Sequence, residues 1–293
     1  MSLTELQLEA ASDQAEAIEQ RLFELGAASV EFGDAGDEPL FEPPPGAHPL
    51  WTAVRLKALF TDDLRAEIAA AALARYALPG TAIPVSPIVD QDWIRAGLAG
   101  LTRIHCGGDL WIVPSWETPP KVDRGVFVHL DPGLAFGTGS HPTTAMCLAA
   151  LAAAPPRGQH VLDYGCGSGI LAIAALRLGA AYALGVDIDH QAVLATLENA
   201  ARNDIEPGSL DALLSETEPA AAEFDLVVAN ILAGPLVALA PTLARSARPG
   251  GRLLLAGLLD WQAGEVMAAY RNDFDIDIGA ERDGWVLLDG HRR

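Results

Sequence analysis

The stretch Val161-Leu162-Asp163-Tyr164-Gly165-Cys166-Gly167-Ser168-Gly169 decides the fold. Its first four residues read as a buried strand, and a helix is expected over residues 169–178. The glycines between them permit a tight turn and a close approach of backbone to a ligand. Free amides at the start of the helix then face that ligand. Dinucleotide sites favour G-x-G-x-x-G, whereas here the spacing is G-x-G-x-G, with Asp163 just before it and Ile170 at the sixth position. Three readings stand at this point: a cofactor turn of another kind, a dinucleotide turn, or plain turn glycines.

Asp187 narrows the choice. It ends the next apolar run, Gly185-Val186-Asp187, 22 residues after Gly165. A carboxylate there can accept hydrogen bonds from both hydroxyls of a ribose. Asp189 is better placed to cap a helix over residues 190–203.

Outward from this turn, strand and helix alternate. Strands are expected near 160–164, 182–187, 209–214, 225–229, 251–256, 273–278 and 284–289. Helices are expected near 143–153, 169–178, 190–203, 234–246 and 261–270. The pattern predicts an α/β fold with a doubly wound, mostly parallel, seven-stranded sheet. The last two strands, joined through Glu281-Arg282-Asp283-Gly284, read as a hairpin that adds an antiparallel strand.

The N-terminal part reads differently. Strands near 3–9, 29–32, 51–60 and 81–88, with helices near 12–25 and 61–76, give the order βαββαβ. This is a ferredoxin-like α+β plan. The expected division is a small domain over 1–88, an irregular connector over 89–125 with a short helix near 92–98, and a catalytic domain over 126–293. The connector holds Trp93, Trp111 and Trp116, read as packing residues.

Composition bounds the partners. The 293 residues carry a formal charge of −20. Residues 1–88 hold 14 acids against 5 bases, so the small domain is the more acidic per residue. Such a surface repels nucleic acid and membrane and favours a basic partner. No apolar run reaches the roughly 18 residues that a membrane span needs, because charge, Gly or Pro break the Ala/Leu-rich stretches. The first residues show no basic-then-apolar leader. Cys106, Cys147 and Cys166 make neither a zinc pattern nor a disulfide framework. A cytoplasmic, monomeric protein without a metal is the expectation.

Three segments carry a family resemblance. They are Asp131-Pro132-Gly133-Leu134-Ala135-Phe136-Gly137-Thr138-Gly139-Ser140-His141-Pro142-Thr143-Thr144, the turn from Asp163 onward to Leu176, and Asn230-Ile231-Leu232-Ala233-Gly234-Pro235-Leu236. Together they resemble the ribosomal protein L11 methyltransferase family, across essentially the whole chain. After Asp92-Trp93 the chain departs from that pattern, with Ile94-Arg95-Ala96-Gly97-Leu98.

The resemblance implies a class I methyltransferase fold, S-adenosyl-L-methionine as cofactor, and trimethylation of lysine and N-terminal amines of a large-subunit ribosomal protein. It also implies that the small domain binds that substrate. By motif position it places Thr144, Gly165, Asp187 and Asn230 at cofactor-binding positions. Gly167, in the same turn, joins them.

The chemistry singles out Asn230. Methyl transfer to nitrogen needs a free lone pair. Removing a proton from a lysine ammonium at pH 7 costs about 4–5 kcal/mol. A carboxylate beside the amine stabilises the cation and raises that cost, whereas a neutral amide orients the amine without doing so. Asn230, at the end of strand 225–229, is the catalytic candidate; its alternative is contact with cofactor alone. His141 reads as structural rather than as a general base. Phe136, between small residues, is a candidate to pack on the cofactor or cover it, and the Gly137/Gly139 pair lets that loop act as a lid. Three competing functions remain: an amino methyltransferase for nucleic acid, disfavoured by the charge and by having only Lys57 and Lys121; a nicotinamide enzyme, disfavoured by Ile170; and a non-catalytic ribosome-binding factor.

Overall fold

Hydrophobic alternation in the first strand sets the architecture of the N-terminal part. In β1 (Leu3–Ala11) every second residue, Thr4, Leu6, Leu8 and Ala10, is buried. The period of two places them on one face of a sheet. The chain continues through α1 (Ala15–Glu24), β2 (Ser29–Asp34), β3 (Ala53–Phe60), α2 (Asp63–Leu73) and β4 (Val85–Ile88). The computed structural model describes residues 3–36, 50–88, 102–131, 139–216, 219 and 221–293. β1 pairs antiparallel with both β3 and β4, and the strand order is β2-β3-β1-β4. That is the ferredoxin-like plan expected from the sequence. Ile18 and Leu22 of α1, with Ala66, Ala69 and Leu73 of α2, close the core over Leu6, Leu8, Leu56 and Phe60. Asp62 caps α2 by accepting from Leu64 N (2.9 Å) and Arg65 N (3.3 Å). The fourth strand starts at Val85, later than expected, although Pro84 O still accepts from Gln7 N.

The chain forms two compact units, Met1–Gly97 and Leu98–Arg293. The second opens with β5 (Ile104–Gly107), β6 (Leu110–Val113) and β7 (Val126–His129), a three-stranded sheet in that order. This corrects the irregular connector expected over these residues. Gly107 and Gly108, at φ 103° and 51°, make the turn between β5 and β6. Each strand is only four residues long, too short for its periodicity to register in the sequence. The expected helix near 92–98 and Trp93 lie outside the described residues.

Next come α3 (Pro142–Ala153), β8 (His160–Tyr164), α4 (Ile170–Arg177), β9 (Tyr182–Asp187), α5 (His190–Arg202), β10 (Leu210–Leu214) and β11 (Phe224–Asn230). The chain ends with α6 (Ala233–Ala238), α7 (Ala240–Ser246), β12 (Ala247–Leu259), α8 (Ala263–Tyr270), β13 (Phe274–Arg282) and β14 (Trp285–Arg292). The single helix expected over 234–246 is in fact two, with Leu239 between them and a proline in the first turn of the second. Pro241 satisfies a helix start, where no amide partner is needed, so the apolar pattern runs on across the break.

The large sheet has the order β10-β9-β8-β11-β12-β14-β13. Its first five strands are parallel, and β14 runs antiparallel to both neighbours. Apolar clusters cover both faces, so Leu226 to Ala229 are all buried and the strand reads as a continuous apolar run. Such a sheet leaves polar residues one economical place: just beyond the carboxyl ends of the strands, at the point where strand order reverses. Here that point lies between β8 and β11. Among the described residues no helix is long and apolar enough to cross a membrane.

Candidate active site

The carboxyl ends of β8, β9 and β11 open onto one cavity of about 570 Å³. Tyr164, Gly165, Cys166 and Gly167 form one wall, and Asp187 and Ile188 another. His141, Thr143 and Thr144 come from the start of α3, and Asn230 and Ile231 from the end of β11. Gly257 of β12 and Trp285 of β14 complete it. Thus all the site residues singled out in the sequence, Thr144, Gly165, Gly167, Asp187 and Asn230, meet in one place. Phe136 and Gly137 lie outside the described residues.

The glycine turn has the conformation its sequence requires. Gly165, Gly167 and Gly169 have φ of 79°, 53° and 78°, a region that side chains disfavour. The amides of Gly165 and Cys166 both donate to Val186 O, at 2.7 and 3.1 Å, and draw the turn onto the end of β9. From α5, Asn199 Nδ2 donates to Ser168 O (2.8 Å) and Thr196 Oγ1 to Gly167 O (3.2 Å). A Cβ on Gly169 would stand 2.8 Å from Thr196 Cγ2, so this helix can brace the turn only because the glycine is bare. The α4 N-terminus has no side-chain cap. Asp163 takes the amide of Ala172, and those of Ile170 and Leu171 before it are of the kind that a carboxylate or a phosphate seeks.

Asp187 sits opposite. Its Oδ2 accepts from Gly167 N at 2.9 Å and its Oδ1 from Asp189 N at 3.0 Å. Both oxygens are thereby fixed, and each keeps lone-pair capacity for a hydroxyl donor. Asp189 accepts from Gln191 N at 2.9 Å and caps α5, the role its position predicted. Asp163 is the acid in the turn whose environment the sequence did not show. It is buried; Oδ2 accepts from Ala172 N (3.0 Å), while Oδ1 has no hydrogen-bond partner among the described residues. Burial first, and then the charge of Asp187, push its carboxyl up to about 7, against the Ala172 hydrogen bond that pulls it down. Cys166, in the same turn, is no nucleophile: burial and the charge of Asp163 push its thiol up to about 12.

At the other end of the cavity, Asn230 Nδ2 donates to Thr144 Oγ1 at 3.1 Å. That bond fixes the amide and leaves its oxygen as the acceptor it can offer. His141 is the N-cap of α3; its Nδ1 accepts from Thr143 N at 3.4 Å and lies 2.7 Å from Thr143 Oγ1. In the neutral ring the proton then sits on Nε2. Burial lowers the His141 pKa, which keeps the ring neutral. Its ring meets Trp285 edge-on at 5.0 Å between centroids. The residue is a cap and a wall.

Gly257 and Trp285 were missed in the sequence. An isolated glycine in a strand pattern signals a close backbone approach, and Gly257 carried that signal. Trp285 carried none, because only the antiparallel β14 brings it beside α3.

The residues present fit a cofactor with a ribose and a carboxylate: an acid for the hydroxyls, bare glycines for backbone approach and the amides of Ile170 and Leu171 at the helix start. Comparison with known proteins agrees. A family model described as ribosomal protein L11 methyltransferase (PrmA) matches residues 2–293. A ribosomal protein L11 methyltransferase of Azotobacter vinelandii is 51% identical over 296 residues, covering 100% of both chains. One of Pseudomonas aeruginosa is 50% identical over 296 residues, covering 100% of this chain and 99% of its own. The crystal structure of a ribosomal protein L11 methylase from Lactobacillus delbrueckii subsp. bulgaricus is 36% identical, with a TM-score of 0.57, covering 66% of this chain and 100% of that one. With this sheet order, this turn and these relatives, the chain belongs to the ribosomal protein L11 methyltransferase family.

Proposed function

We propose that the chain uses S-adenosyl-L-methionine to methylate lysine side-chain and N-terminal amines of ribosomal protein L11, up to the trimethyl form. The observation that carries this is the single cavity holding the glycine turn, Asp187 and the Thr144–Asn230 pair. Bound there, the cofactor's sulfonium supplies an activated methyl group. Asp187 takes the ribose hydroxyls. The amides of the turn and of α4, with Thr144, take the amino-acid end.

Asn230 accepts a hydrogen from the substrate amine and aims the lone pair. No ionisable group need take the proton in the transfer step. The cost is instead the prior loss of a proton from the ammonium, and the apolar walls formed by Tyr164, Ile231, Leu239 and Trp285 lower it by disfavouring the cation. A neutral His141 adds no charge to that balance.

Recognition of the substrate belongs in this reading to residues 1–88. They fold as a separate sheet, hold 14 acids against 5 bases, and face a partner that is basic, as ribosomal proteins are. The cytoplasm is the compartment where that substrate is made. The test is to incubate purified chain, cofactor with a labelled methyl group, purified L11 and ribosomal RNA, to count label in each, and to map the protein product by peptide mass spectrometry. Label on lysine or N-terminal amines is the expected result. An unlabelled L11 with labelled ribosomal RNA would reverse the assignment.

A further inference from the structure

Ile231, next to Asn230, is held from two sides by positions that have no side chain. On one side, a Cβ on Gly257 would collide with the carbonyl oxygen of Ile231 and stand 2.7 Å from its carbonyl carbon and 2.9 Å from its nitrogen. Gly257 has φ 91° and lies in the irregularity of β12 between Leu255 and Leu258, where the ladder with β14 shifts register. The neighbouring Ala256 accepts from Ile231 N at 3.1 Å. On the other side, a Cβ on Gly165 would collide with Ile231 Cγ2. Gly165, Ile231 and Gly257 all line the cavity. A bulged strand with a left-handed glycine is a common way to re-aim what lies beside it.

We propose that Ile231 and Gly257 are positioning residues of the transfer step: Gly257 admits the Ile231 backbone, its carbonyl first, against β12, Ile231 spans from that support to Gly165, and the two together set where the neighbouring Asn230 amide stands. The claim rests on the reading of Asn230 as the amine's acceptor. It makes β12, whose Ala256 carbonyl already holds Ile231 N, the backing of the site. It also ties the cofactor turn to the amine end through one side chain.

The test compares Gly257→Ala with Gly250→Ala. Gly250 lies in the same strand at φ 75°, with nothing within 4 Å of an added Cβ. Gly250→Ala therefore reproduces the backbone strain without the collision. For Gly257→Ala, turnover should fall by about tenfold to a hundredfold, as for a misplacement of about 1 Å, with cofactor affinity within about threefold of the parent. Its crystal structure should show the Asn230–Thr144 hydrogen bond broken. Gly250→Ala should keep both turnover and that bond.

Ile231→Ala and Ile231→Val cover the case in which Gly257→Ala does not fold. Valine keeps Cγ2 against Gly165 and should stay near parental turnover, whereas alanine should lose turnover at unchanged cofactor affinity. Parental turnover in Gly257→Ala, or equal turnover in the two Ile231 variants and the parent, overturns the proposal. So does an equal loss of turnover and cofactor affinity. Should the parent itself transfer no methyl group to L11, the functional reading fails. The Asn230–Thr144 bond in the crystal structures of Gly257→Ala or, in its place, Ile231→Ala then decides the positioning claim by itself.

Discussion

The four-stranded and the seven-stranded sheets solve opposite problems. The small antiparallel sheet has one dry face and one wet face, so its polar residues spread along every strand: Glu5, Gln7 and Glu9 alternate with Leu6 and Leu8 on β1. Arg55 pairs across with Glu9 at 2.8 Å, a bond within the sheet face. The inner parallel strands of the large sheet are covered on both faces, and polar residues gather at their ends: Asp187 closes β9 and Asn230 closes β11. Spread polar groups suit an extended contact. Gathered ones suit chemistry on one atom.

The sharpest way to break this contrast is Asp187→Ala. On the proposed ribose assignment two contacts to a carboxylate would go, together with the observed tethers to Gly167 N and Asp189 N. Hydrogen bonds to a charged group contribute about 1.5–3 kcal/mol each, so cofactor affinity should fall by roughly two orders of magnitude or more. Isothermal calorimetry on the folded variant checks it; unchanged affinity would refute the ribose assignment. A shortened chain beginning at Leu98 probes the other half of the contrast. It should hold cofactor within about threefold of the full chain, since the whole cavity lies in the second unit, and lose most L11 methylation. Full methylation by the shortened chain would end the division of labour.

A third test concerns Asp163. An unfolded carboxyl titrates near 3.8, and this one in the fold near about 7. Between those values the folded state binds a proton that the unfolded state has released, so stability falls as pH rises through the window. Asp163→Asn keeps an acceptor for Ala172 N and does not titrate. Its unfolding free energy relative to the parent should rise from pH 4 to pH 7.5, by on the order of a few kcal/mol at most, as denaturant titrations at several pH values would read. A margin independent of pH contradicts the buried-acid account. The smallest effect is expected on the small sheet: the Michaelis constant for L11 should rise a few-fold between about 0.05 and 0.3 M salt, as screened charge recognition does. No rise would remove the electrostatic part of recognition and leave its location standing.

These differences also explain what the sequence made legible. Asp187 could be found because the glycine turn and the strand after it are neighbours in the chain, with a spacing that one βαβ unit dictates. Asp189 was legible for a similar reason, since a cap is local. Gly257 and Trp285 enter the cavity from β12 and β14, which the topology places beside β11 and α3 only after folding. The break at Leu239 escaped because Pro241 is at home in a first helical turn. The strands at 104–113 escaped because four residues carry no period. That Asp163 Oδ1 has no partner among the described residues could not be read at all, because it depends on tertiary packing around the turn.

The measurement closest to the centre of the account is the pH–rate profile of Asn230→Asp at saturating cofactor. The substitution keeps the shape and replaces a neutral acceptor with a carboxylate, which stabilises the ammonium form of the substrate. The alkaline rise in methylation should move up by roughly one pH unit or more. A profile that coincides with that of the parent would contradict the claim that Asn230 orients a neutral amine for transfer.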